Sequence, residues 1–517
     1  MQLVQCLQRV PADQFARIVT THGLPAGERP VLEREVAARL LNRAPLEENL
    51  RSLSDEEWSA LKVVFFNGGD QGITVELCHQ IVGLLSGKRR KSSAKALEEL
   101  QHRGLIYLRS QNYRQVFFIP DDLMASMDEI LNRQMVSRLS LGNGPVRVLP
   151  QERNLLEEVH RFLAHIHTHE ITLTQQGQIF KRHLRALLDL LMPGSDEEES
   201  VAGRYPEPLG MLVGYSLDRH LIAREEGRLR TTDHLPPWVN LPSGAKRLDL
   251  FKYWQDRYYY QDLQTFLSVV RSVGGEWVSV DRLVGELEPL INPSQRGSFL
   301  LRLRHHLTTF LAPLGLFELG DAPGEAGPEL ACRLTGAGAA VLAERAPEET
   351  AGTGATPLLL QATFEVIAPR PVPSHVLWRM ELMADLEGQT DRTLTYRLSK
   401  TSVYRALKAG IAGEELLAFL REHSATGVPQ NVAFDLAAWS GAYGQVYLQE
   451  VMLLRCADPV LAQQVKASRR TARYVIGELT PTDLIVTGEH YKELLEALEA
   501  DGLMPRPEVD RPALAED

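Results

Sequence analysis

Cysteine is scarce in this chain, which has only four in 517 residues. The four form no CxxC pair and no close cluster that would hold a small domain together by disulfides. We therefore expect reduced, buried thiols. These cysteines are Cys6, Cys78, Cys332 and Cys456.

Long apolar runs are also missing. The N-terminus, MQLVQCLQRVPADQF, lacks the basic segment and the apolar core of a signal peptide. No uninterrupted apolar run approaches the ~18 residues that a membrane helix needs. The sequence therefore predicts a cytoplasmic protein that has no membrane partner.

The chain has no excess of positive charge, since 56 Lys and Arg face 67 Asp and Glu and leave a net charge of −11. This balance excludes a protein that coats nucleic acid indiscriminately, so any contact with DNA must come from local basic patches. The length and a hydrophobic content of 44% allow several cores. We expect about three or four domains.

Motifs of the common catalytic sites are absent from the sequence, which contains no GxSxG elbow and no GxGxxG loop. An ATP-driven motor needs a phosphate-binding loop with a Lys and a magnesium ligand. The closest string is GLLSGKRR at 83–90, which has three residues between its glycines where the motif has four. Arg89 stands where Ser or Thr would bind magnesium. We predict a non-enzymatic chain without a cofactor.

Four histidines lie close together between 160 and 169. His165 and His169 are one helical turn apart, a spacing that can place two imidazoles on one metal ion. A third ligand is not evident, because HEITL lacks the second histidine of an HExxH motif. We predict histidines on a helix surface and no metal site.

A repeated pattern organises much of the chain: a helix ends in a Gly-Leu step and passes into a strand. The first copy is SAKALEELQHRGLIYLRSQNYRQVFFIP, in which Gly104 suits a left-handed C-cap. Three helices followed by two strands are typical of a winged helix. The predicted fold is mainly α with small β elements, as tandem winged helices followed by a compact α/β domain. The predicted ranges are a helical segment at 1–50, winged helices at 51–135 and 250–345, a winged-helix-like unit at 150–245 with an acidic insertion at 192–208, a linker at 346–357, the α/β domain at 358–505 and a disordered tail at 506–517.

Basic residues concentrate on two of the predicted winged helices. In such modules the third helix lies in the DNA major groove, and the strands can contact the neighbouring phosphates. The alternative is that these residues form a solvated surface without a ligand. The predicted DNA-binding residues are Lys88, Arg89, Arg90, Lys91, Lys95, Arg109 and Arg114 in the first unit, and Lys181, Arg182 and Arg185 in the middle unit.

The most specific stretch begins at Leu358. LLLQATFEVIAP predicts one buried strand, VLWRMELMADLE a helix, TLTYRL a second strand, and three further helices extend to Gly444. The segment TYRLSKTSVYRALKAGIAGEELLAFLREHSATGVPQNVAFDLAAWSGAYG resembles the small α/β domain at the N-terminus of the XPB DNA helicases, and the same kind of domain in the TFIIH subunit that anchors XPB. The matching positions are Tyr396, Arg397, Ser402, Val403, Ala406, Gly410, Phe419, Leu420, Ser424, Pro429, Asn431 and Trp439.

This resemblance implies a docking or DNA-handling domain beside a helicase. Arg397, Ser402 and Asn431 are its polar positions, which either hold the domain together or meet a partner. The implied partners are an XPB-like or other superfamily 2 helicase and DNA, in repair or transcription. Two alternatives stay open: a winged-helix transcription regulator with a C-terminal interaction domain, and an enzyme whose site is built from dispersed carboxylates and histidines.

Overall fold

The computed structural model describes residues 1–68, 72–86, 90–111, 113–142, 144–191, 205–258, 261–324, 327–348 and 357–509. Its fold is mainly α with small antiparallel sheets. The chain divides into two compact units, which comprise 1–440 and 441–517. The domain boundaries inside these units stay predictions from the sequence.

Four helices open the first unit. Each buries one apolar stripe, as Leu3 and Leu7 do on the first helix and Val36 and Leu40 do on the third. The side chain of Asn42 caps the fourth helix by accepting a hydrogen bond from the Ala44 N–H. These helices are α1 (Leu3–Arg9), α2 (Ala12–Thr21), α3 (Arg29–Leu41) and α4 (Arg43–Arg51).

The next segment has the order helix, strand, helix, helix, strand, strand. Side chains cap the N-termini of two of these helices, since Ser54 and Glu57 form a capping box and the Thr74 hydroxyl accepts from the Leu77 N–H. Gly104 has φ of 72°, as predicted for the C-cap. The elements are α5 (Asp55–Gly68), β1 (Ile73–Thr74), α6 (Val75–Ser86), α7 (Arg90–His102), β2 (Tyr107–Gln111) and β3 (Arg114–Phe118), followed by α8 (Asp121–Leu139).

The same element order occurs a second time in the middle of the first unit. Its hairpin turns at Glu226 and Gly227, and both residues have positive φ, at 49° and 74°. The elements are β4 (Arg147–Val148), α9 (Leu155–Thr168), β5 (Ile171–Thr172), α10 (Lys181–Leu191), α11 (Leu209–Asp218), β6 (Ile222–Glu225), β7 (Arg228–Thr231), α12 (Leu235–Val239) and α13 (Ser243–Arg257). The predicted acidic insertion at 192–208 lies outside the described residues up to 204.

The third occurrence follows the same order. The elements are α14 (Gln261–Val273), β8 (Val278–Ser279), α15 (Val280–Leu287), 3-10 turns at Glu288–Leu290 and Pro293–Ser298, α16 (Phe299–His306), a π-helical turn at Leu307–Leu311, β9 (Phe317–Gly324), β10 (Gly327–Leu334) and α17 (Gly336–Leu342). In all three copies the first, short strand pairs with the last, as the orders β1-β3-β2, β5-β7-β6 and β4-β9-β10-β8 show. The sequence had predicted only the two strands of each hairpin. One hydrophobic core extends from Leu3 to Val341, so the three copies share it.

Residues 358–440 form a second core around a four-stranded antiparallel sheet of order β11-β12-β14-β13. The prediction of one strand for LLLQATFEVIAP is wrong, because Phe364 adopts a left-handed φ of 67° and the chain turns back on itself. Leu359 then pairs with Ile367. The elements are β11 (Leu359–Leu360), β12 (Glu365–Pro369), α18 (Ser374–Met383), β13 (Asp385–Gln389), β14 (Thr393–Arg397), α19 (Lys400–Lys408), α20 (Gly413–His423) and α21 (Gln430–Ala442).

The second unit has its own small core, to which Val465, Leu484 and Leu498 contribute. Its three strands have the order β15-β17-β16. In the segment QVYLQEVMLLRC at 445–456, only the end is paired as a strand. The elements are β15 (Met452–Arg455), α22 (Pro459–Ala467), a 3-10 turn at Ala472–Tyr474, β16 (Val475–Thr480), β17 (Asp483–Val486) and α23 (Tyr491–Ala500).

Candidate nucleic-acid and docking surfaces

Helix α7 carries part of the first predicted DNA-binding patch. Its C-terminal end packs against α2: the Gln14 amide donates to Gln101 at 3.4 Å, and Arg17 Nη1 lies 3.3 Å from His102 Nε2. Lys95 is exposed. Lys88 and Arg89 lie outside the described residues, whereas Arg90 and Lys91 begin the helix.

The two arginines of the adjoining hairpin differ in their surroundings. Arg114, at the start of β3, is exposed. Arg109 is half-buried, and its guanidinium lies 4.8 Å from the centre of the Phe118 ring. Arg114 is thus available to a phosphate, whereas Arg109 already packs on an aromatic face.

In the middle unit, α10 presents Lys181, Arg182 and Arg185 to solvent, because its leucines face the core. The third helix of this unit, α11, is buried along most of its length, including Met211 and Tyr215. A buried helix cannot enter a DNA groove. Any contact of the middle unit with DNA must therefore come from α10 and the hairpin.

In the part of the chain that the structure describes, no group of three His, Cys, Asp or Glu side chains could hold a metal ion. The rings of His165 and His169 stack with their centres 4.1 Å apart. His165 is half-buried and not a surface residue as predicted. Burial, followed by the nearby positive charges of His169, Arg405 and His183, lowers the pKa of His165 to about 3.

Buried ion pairs join residues 358–440 to α9, the first helix of the middle repeat. Arg161 Nε lies 3.3 Å from Glu381 Oε1, with side chains only 2% and 5% exposed. The Tyr396 hydroxyl donates to the same carboxylate at 2.8 Å. Burial raises the pKa of Glu381, against the lowering effect of Arg161. Tyr396 is one of the positions that resemble the XPB domain, but the sequence did not predict Glu381 as its partner.

A second buried pair supports the first. Arg370 Nη2 lies 2.6 Å from Glu157 Oε2, and its Nε donates to Oε1 at 3.1 Å. Burial raises the pKa of Glu157, and the Arg370 charge opposes that shift. Because Arg370 follows β12 and Glu157 lies in the first turn of α9, this bidentate pair fixes the sheet against the helix.

The three predicted docking residues are all engaged within their own domain. Arg397 spans the sheet through Glu365, at 2.9 Å, and through Glu387 on the neighbouring strand. Ser402 is fully buried, and it forms a capping box with Ser399 at 3.0 Å. Asn431 donates to the Ala362 carbonyl at 2.8 Å but stays exposed. In this conformation a partner can reach Arg397 and Asn431, whereas the Ser402 hydroxyl is inaccessible.

Apolar side chains that face solvent are frequent toward the C-terminus. In the first unit, Phe434 on α21 is 73% exposed. In the second unit, the segment before β15 exposes Val446, Tyr447 and Leu448 almost fully. Solvent-exposed apolar clusters mark sites of protein interaction.

The string GLLSGKRR at 83–90, which is the closest to a phosphate-binding loop, begins within a helix, since Gly83 lies in α6. Residues 87–89 lie outside the described part of the chain. Across the described residues, no helix has the length and apolar character needed to span a membrane.

Comparison with known proteins bears on the C-terminal part. Residues 358–480 match the family described as the helicase conserved C-terminal domain. The chain is also similar to the DNA 3'-5' helicase XPB of Kineococcus radiotolerans, with 29% identity over 107 residues. That alignment covers 20% of this chain and 19% of the relative, so the chain spans about a fifth of the length of the helicase that it matches.

Residues 358–480 are therefore a helicase-related region, as the sequence predicted. The resemblance to the TFIIH subunit and the winged-helix interpretation of the three repeats stay predictions. The helicase-related region also crosses the boundary at 440/441, so its two parts belong to different compact units.

Proposed function

We propose that this chain is a non-enzymatic accessory protein that docks to a superfamily 2 helicase through its helicase-related region and contacts DNA through the preceding repeats. The exposed apolar side chains of that region carry the docking half of the proposal. Phe434, Tyr447 and Leu448 are 73%, 76% and 102% exposed. Aromatic and large apolar side chains supply most of the energy at protein interfaces.

The three repeats support the DNA-binding half of the proposal. We interpret them as winged helices, because each has three helices and three strands that pair antiparallel in the same order. In the first repeat, Lys95 on the third helix and Arg114 on the hairpin are exposed. We place DNA phosphates along Lys88, Arg89, Arg90, Lys91, Lys95 and Arg114.

The docking proposal is tested by affinity capture of the full chain from its native cells, with retained helicases identified by mass spectrometry. We expect capture of a superfamily 2 helicase, and its loss when Phe434, Tyr447 and Leu448 are all changed to Ser. The matched control is Leu301→Ser, because Leu301 is 75% exposed but lies on α16, outside the helicase-related region. That variant should retain the helicase.

A truncated chain for this test should end at Ala442, where α21 ends. A chain that ends at Pro357 is unsuitable, because it would uncover α9 and leave Arg161 without Glu381. Equal helicase capture by the wild type and the triple Ser variant would overturn the docking proposal. ATP hydrolysis by the purified chain, stimulated by DNA, would overturn the non-enzymatic assignment.

A further inference from the structure

The start of α10 carries positive charge that helix stability does not explain. Lys181, Arg182 and Arg185 lie in its first two turns, and the first turn contains no acidic residue. Cations at a helix N-terminus oppose the helix dipole, so they are unfavourable for folding. All three side chains are nevertheless exposed to solvent.

The neighbouring hairpin adds a cation to the same surface. Arg224 of β6 lies against the turn that leads into α10, since a Cβ placed on Gly177 would be 3.5 Å from Arg224 Nη1. Arg224 is exposed as well. Among the described residues, no carboxylate forms an ion pair with Arg182, Arg185 or Arg224.

Within α10, Arg182 Nε donates to His183 Nε2 at 3.2 Å. Arg405 of α19 lies outside this surface, because its side chain is only 19% exposed and lies 2.8 Å from Asp385.

The shape of this surface favours contacts to a nucleic-acid backbone. Helix α11, which would have to enter a groove to reach base edges, is buried. Guanidinium groups bind phosphate oxygens through their planar fork of N–H donors. Most of the cations on this surface are arginines.

We propose that Lys181, Arg182, Arg185 and Arg224 form one phosphate-binding surface for the backbone of duplex DNA, without preference for its sequence. This inference rests on the proposed DNA contact of the chain and adds a second site to it.

The test is fluorescence anisotropy of the full chain with two duplexes of unrelated sequence over a range of salt concentrations. Arg182, Arg185 and Arg224 are changed together to Ala. Each lost phosphate contact should flatten the dependence of log affinity on log salt by ~1, so we expect a slope that is flatter by about 3. Both duplexes should weaken equally.

The matched control is a triple Ala variant of cations that are equally exposed on other helices, namely Arg34, Lys252 and Arg421. It should bind DNA like the wild type. Circular dichroism of both variants checks that the fold is retained, which we expect because all six side chains are on the surface.

Four outcomes would overturn the inference. An unchanged slope in the folded triple variant would show that this surface does not bind phosphate. If Lys95→Ala combined with Arg114→Ala weakens binding in the same assay, DNA binding by the first repeat still holds. Weakening of only one duplex contradicts sequence-independent contact. Loss of binding to poly-glutamate with DNA binding unchanged would assign the surface to an acidic protein. A wild-type chain that binds no DNA at low salt would overturn the proposed DNA contact as well.

Discussion

The two parts of the helicase-related region are stabilised by different interactions. Residues 358–440 rest on α9 through buried ion pairs, in which Arg161 and Glu381 are 2% and 5% exposed. Residues 441–509 have a separate small core, and their ion pair between Arg455 and Asp483 leaves the arginine 77% exposed. One stretch of related sequence therefore contains a part that depends on a distant helix and a part that has its own core.

The largest effect should come from removing one partner of the buried pair. Arg161→Met leaves the Glu381 carboxylate buried without its counter-charge, which typically costs about 3–5 kcal/mol. The measurement is urea unfolding followed by tryptophan fluorescence. All six tryptophans lie at or before Trp439, so this signal reports the first unit.

Two variants test the cause of that loss. Arg161→Met combined with Glu381→Leu should recover much of the stability, because a matched apolar pair removes the uncompensated charge. Arg455→Met, which breaks the exposed pair of the second unit, should change the unfolding curve followed by circular dichroism very little. The comparison fails if Arg161→Met is no more destabilising than Arg455→Met.

Lowering the pH should decrease the free energy of unfolding of the first unit by an intermediate amount. Burial, and then the Lys246 charge, lowers the pKa of His160 in the first unit to about 3. The unfolded chain binds a proton near pH 6.5 that the folded chain refuses, so stability is complete above that pH and falls as the pH drops toward 3. The loss expected from His160 alone is about 2 kcal/mol at pH 5.

The measurement is the free energy of unfolding of the first unit between pH 7 and pH 5. His160→Gln should reduce its pH slope by about 1.4 kcal/mol per pH unit below 6.5. In the second unit, the His490 side chain is 52% exposed, so His490→Gln is the matched control and should leave the slope unchanged. An equal slope in the wild type and His160→Gln would contradict the assignment.

The smallest effect should follow deletion of the second unit. A chain that ends at Ala442 keeps α9, its ion pairs and α21, so the tryptophan-detected stability should stay within about 0.5 kcal/mol of the wild type. A chain that ends at Pro357 loses the sheet that covers α9 and should unfold at much lower urea. Equal midpoints for the two shortened chains would show that 358–440 contributes no stability.

The sequence predicted features that local chemistry determines. Gly104, Gly315 and Gly502 end their helical segments with positive φ, at 72°, 77° and 79°, because glycine has no Cβ to clash there. The helicase-related region was also predicted, since its residues form a recognisable string. Periodicity could not show β1, β5 and β8, which are two residues long.

Other features depend on residues that are far apart in the chain. On α9, the charged residues Glu157, Glu158 and Arg161 are all buried. The partner of Arg161 comes 220 residues later. The turn at Phe364 was missed for a related reason, since phenylalanine rarely adopts a left-handed φ and only the surrounding fold holds it there.

A helicase-related module that is transferred to another protein would have to contain helix α9. Its side chains supply both buried counter-charges for residues 358–440 and also Ala164, which belongs to the same hydrophobic core as Leu358 and Tyr396. Grafted onto another protein without Leu155–Thr168, the sheet would expose an apolar face and two orphaned charges. A fragment for crystallography or fusion therefore needs that helix supplied from earlier in the chain, as a second segment or through a designed connection.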